Sequence, residues 1–156
     1  MRSRKTPRSS QPAKGKAELQ LGSKSAARAN WSDVRKLFIQ ANKIDPEAPE
    51  PLALFYQSYA VAGEQPTKNA VDALTYALEL VPQDSKLRLT AVHEFLNEGN
   101  TSTAQRYFGA FAFEPHSKTS IRQAAADAMA AMEQGRKNEA LKDVGEIQKE
   151  LEKDDD

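Results

Sequence analysis

The sequence predicts an all-α chain of antiparallel helix pairs that repeat about every 34 to 36 residues. Three observations carry this. Turn glycines stand at Gly63, Gly99 and Gly135, 36 residues apart, each after an apolar helical stretch: "AVAGEQPTKNA", "LNEGNTSTA" and "MEQGRKNEA". Ala70, Ala104 and Ala140 begin the next helix after each glycine. Prolines then close three helices: Pro46, Pro82 and Pro115, in "KIDPEAPE", "LVPQD" and "FEPHS". No segment alternates as a half-buried strand would.

Eight helices are expected, over 15–28, 32–44, 50–62, 68–80, 85–97, 101–113, 118–134 and 137–152, after a basic, disordered lead over 1–14. The first has little to bury in "GSKSAARA". Glycine serves each helix C-terminus because it takes positive φ without a Cβ clash. Proline ends a helix and pushes the residue before it out of the α region. Start signals agree: Asn30 or Ser32 before "DVRKLF", Thr67 or Asn69 before "AVDAL", and Asp84 or Ser85 before "KLRLTAV". The last helix carries an apolar stripe of Leu141, Val144, Ile147 and Leu151 with charge elsewhere, as a capping helix does.

Composition fits a thin, surface-rich helical architecture. The chain of 156 residues is 39% hydrophobic and 28% charged, with a mean hydropathy of −0.69. It has no cysteine, which removes disulfides, thiolate metal sites and a cysteine nucleophile. Net charge is zero but unevenly placed: the first 30 residues hold eight Lys or Arg against one Glu, and the chain ends in "KELEKDDD". The basic head has no interleaved aromatics for stacking on single strands, so nucleic acid is disfavoured as a partner. No apolar run follows it as in a secretory signal, and no stretch is apolar enough to span a membrane. A cytoplasmic location is expected.

The repeated order resembles the tetratricopeptide repeat (TPR) family, pairs of antiparallel helices with small and large apolar residues at set places. Second helices carry the resemblance best: Val34, Phe38, Ala41 and Pro46, with Trp31 before them; Ala70, Leu74, Ala77 and Pro82; Ala104, Phe108, Phe111 and Pro115; and Ala140, Val144 and Ile147. First helices match less sharply, through Leu21-Gly22 with Ser25, Phe55-Tyr56 with Tyr59, Ala91-Val92 with Phe95, and Asp127-Ala128 with Ala131. The resemblance implies a right-handed α-α superhelix, a solenoid of about four TPR-like pairs over 15–152. The units fall at about 15–48, 49–84, 85–118 and 119–152, with an acidic tail over 153–156. One pair cannot bury its apolar face alone, so stacking supplies the missing surface.

A search for reactive chemistry finds none. His93 lies mid-helix and His116 in a turn, neither with a metal ligand at i+4. There is no glycine-rich phosphate loop, G-x-S-x-G, H-E-x-x-H or calcium-loop spacing. No enzyme activity, cofactor or metal is expected. The resemblance implies instead a concave face, lined by the first helix of each pair, that holds a protein or peptide. Carried over residue by residue, that groove includes Leu19 and Ser23, then Ala53, Gln57 and Ala60, then Lys86, Leu89, His93 and Asn97, then Arg122, Ala125 and Met129. The partner-binding residues singled out are Gln57, Lys86, Leu89, His93, Asn97, Arg122 and Met129. The carboxylate clamp of the family's chaperone-tail adaptors is missing, because Leu19, Ser23 and Ala53 stand at its places. Lys86 and Arg122 suit carboxylates, while Gln57, His93 and Asn97 suit a peptide backbone. The alternative is a structural spacer or dimerisation module, or the C-terminal part of a larger protein. The sequence leaves the oligomeric state open.

Overall fold

A computed structural model of the chain describes residues 30–112 and 118–153. Among these there are seven helices and no strand: α1 (Trp31–Ile44), α2 (Pro49–Ala62), α3 (Lys68–Leu80), α4 (Ser85–Asn97), α5 (Thr101–Ala112), α6 (Thr119–Glu133) and α7 (Lys137–Lys153). Each lies within a residue of its expected bounds. The expected helix over 15–28, the basic lead, Leu19, Ser23, Pro115 and His116 fall outside the described residues, as does the Phe111 side chain.

Local chemistry sets the boundaries. Of the candidate caps, Asn30, Thr67 and Asp84 are the ones used. Their side chains accept from the backbone N–H of Asp33 (3.3 Å), Ala70 (3.2 Å) and Leu87 (3.0 Å). The glycine ends are one motif used three times. Gly63, Gly99 and Gly135 have φ of 72°, 80° and 71°. The next residue's N–H reaches back to the carbonyl of Tyr59, Phe95 or Ala131, each at 2.8 Å. The proline ends differ. Asp45 and Val81, each just before a proline, sit at φ −138° and −132°, where the ring of Pro46 or Pro82 sends them.

The chain divides into two compact units between Val81 and Pro82. In the first, α2 packs on both α1 and α3. Trp31, Val34, Phe38 and Leu54 form its core cluster, with Phe55 and Ala62 against it. The alanines that mark expected helix crossings are sealed: Ala70 and Ala77 are fully buried, as is Leu74 between them.

In the second unit the packed pairs are α4 with α5, α5 with α6, α6 with α7, and α7 with α4. These four contacts close a ring. The resemblance implies α4 and α6 side by side on one concave face; the ring sets them diagonally, each flanked by α5 and α7. Side-chain size explains the closure. Leu89 and Leu96 of α4, Phe108 of α5, and Val144 and Ile147 of α7 are buried, while α6 buries Ala125, Ala128 and Ala131 along its middle, between Ile121 and Met132 near its ends. Small residues on one helix let the large ones of its neighbours reach the middle.

Candidate functional site

Hydrogen-bonding side chains on α4 recur at i, i+4, i+7 and i+11, which puts Lys86, Thr90, His93 and Asn97 on one side of the helix. Lys86 and Asn97 are exposed; Thr90 and His93 are half-buried. The stripe is internally braced. Thr90 Oγ1 donates to the Lys86 carbonyl at 3.0 Å. Asn97 Nδ2 lies 3.2 Å from His93 Nδ1, so with the amide donating, the neutral ring carries its proton on Nε2. At the far end, Lys137 Nζ donates to the Asn97 carbonyl at 3.2 Å, joining the start of α7 to the end of α4. That bond satisfies one of the carbonyls a helix leaves open at its C-terminus.

The other expected residues divide. Arg122 is exposed on α6, with Nη2 donating to Thr119 Oγ1 at 3.4 Å, and Met129 is half-buried two turns on. Both lie on the helix diagonal to α4, so the ring does not bring them beside the α4 stripe. Leu89 is a correction. It is fully buried, with no exposed surface, on a side of α4 apart from the Lys86–Asn97 row, so no partner reaches it. Ala125 is core too, at 1% exposure. Gln57 is half-buried on α2 and belongs to the first unit.

Two polar constellations escape sequence reading. In the first unit, Arg35 of α1 donates from Nε to Ser58 Oγ at 2.9 Å and from Nη2 to Glu64 Oε1 at 3.0 Å, with a longer 3.5 Å bond to the Ser58 carbonyl. Its guanidinium lies 3.6 Å from the centre of the Tyr59 ring. Ser58 is fully buried and donates on to the Phe55 carbonyl at 2.6 Å. The network ties α1 to the C-terminal half of α2. Only the i, i+1 neighbours Ser58-Tyr59 and the distant Arg35 signal it, and no motif links them.

In the second unit, Glu94 is buried at 4% exposure. A hydrogen bond with Glu94, partial burial and the like charge of Glu94 together push the Glu98 carboxyl up to about 7. Their i, i+4 spacing was visible in the sequence, but the burial of Glu94 was not. Both also sit near the negative end of the α4 dipole, which disfavours a second charge there.

Among the described residues no cluster of His, Asp or Glu is built to hold a metal ion. No helix there is long and apolar enough to cross a membrane. Compared with protein-family models, the chain matches none, and no curated protein matches it either.

Proposed function

We propose that the chain is a non-enzymatic interaction scaffold of the tetratricopeptide-like kind, which binds a protein or peptide segment through the outward stripe of α4. The observation that carries this is the stripe itself: Lys86, Thr90, His93 and Asn97 on one side of a helix whose other positions, apart from the half-buried Ser85 and Arg88, are buried. Such a row offers donors and acceptors at regular intervals to an extended or helical segment. The three identical glycine turns, 36 residues apart, support a repeat origin for the helix pairs. Because α4 and α6 are diagonal, the proposal gives the contact surface to the α4 stripe and leaves Arg122 and Met129 at most an auxiliary role.

Selection of a displayed peptide library on the full chain tests this. Enriched peptides are then measured against a Lys86→Ala, His93→Ala double variant and, separately, an Arg122→Ala variant, after circular dichroism confirms that both are folded. The proposal expects at least tenfold loss with the double variant and little with Arg122→Ala. Undiminished binding by the double variant overturns it.

A further inference from the structure

We draw no further inference here: the strongest candidate, the open cavity of about 340 Å³ among α1, α2 and α3 of the first unit, walled by Phe38, Ile39, Leu52, Phe55 and Ala73, is an apolar recess, and nothing in the structure shows what covers it.

Discussion

Arg35→Met isolates the polar tie between α1 and α2. Methionine keeps most of the stem that packs on Tyr59 and removes the guanidinium. The guanidinium makes a 2.9 Å bond to a fully buried hydroxyl, a marginal one to the Ser58 carbonyl, an ion pair with Glu64 and a ring contact at 3.6 Å. A bond from a charged donor to a buried acceptor is worth about 1.5–3 kcal/mol. The ring contact adds roughly 0.5–1 kcal/mol. The ion pair adds at most about 0.5 kcal/mol, since the Glu64 side chain is 47% exposed. Methionine returns some packing energy, so the net expected loss is about 2–3 kcal/mol. At a urea slope of about 1.5 kcal/mol/M, the midpoint falls by roughly 1.3–2 M. Trp31 makes the assay selective. It is the only tryptophan and sits in the core of the first unit, so its fluorescence reports that unit while circular dichroism reports all helices. A cycle with Ser58→Ala should give a coupling of about 1–2 kcal/mol. A loss below about 0.5 kcal/mol, or no coupling, refutes the claim that this network holds α1 to α2.

Three further outcomes are expected. Phe108→Ala empties a fully buried position in the ring and should cost about 3–5 kcal/mol. Thermal unfolding with an unchanged midpoint would remove Phe108 from the core. Gly99→Ala places a Cβ where no atom lies within 4 Å, so its cost is backbone strain alone, about 1–2 kcal/mol. A d-alanine at the same position, introduced by ligation, should restore stability. Glu98→Gln concerns pH. The folded chain holds the Glu98 proton up to about pH 7, above the ordinary 4.5, so this group's stabilisation is present below about 4.5 and lost as pH rises through 7. Glutamine still donates to Glu94 and cannot ionise. The variant's thermal midpoint should therefore exceed wild type at pH 8 and match it at pH 4; no gain at pH 8 contradicts the pairing.

Most of the helices were legible because their signals are local. The αL glycines, the proline stops and the capping side chains act within one turn of themselves, and most bounds among the described residues follow from them, although α2 and α6 begin without a side-chain cap. Core positions on second helices were legible for a related reason. A stripe such as Ala70, Leu74 and Ala77 states which side of a helix is inward whatever it packs on, and all three are fully buried. The Arg35–Ser58–Glu64 network was not legible, because its members are 23 and 29 residues apart and belong to common residue types.

The misplacement of Leu89 follows from the same distinction. A periodic pattern reports that a helix has an inward side, but the number of its neighbours decides how wide that side is. Placing Leu89 on an open face assumed that α4 meets other helices on one flank only. In the ring α4 meets α5 on one flank and α7 on the other, and Leu87, Leu89, Val92, Phe95 and Leu96 are all buried at once. Lys86, Thr90, His93 and Asn97 remain outward as one narrow row of hydrogen-bonding side chains, with only Ser85 and Arg88 of α4 half-buried elsewhere. The same closure that withdraws Leu89 therefore sharpens the stripe. Widening the outward side should blur it. Large residues at Ala125 or Ala128, which push α6 out of the ring, should loosen α7 from α4 and break the Lys137–Asn97 bond that braces the end of the row.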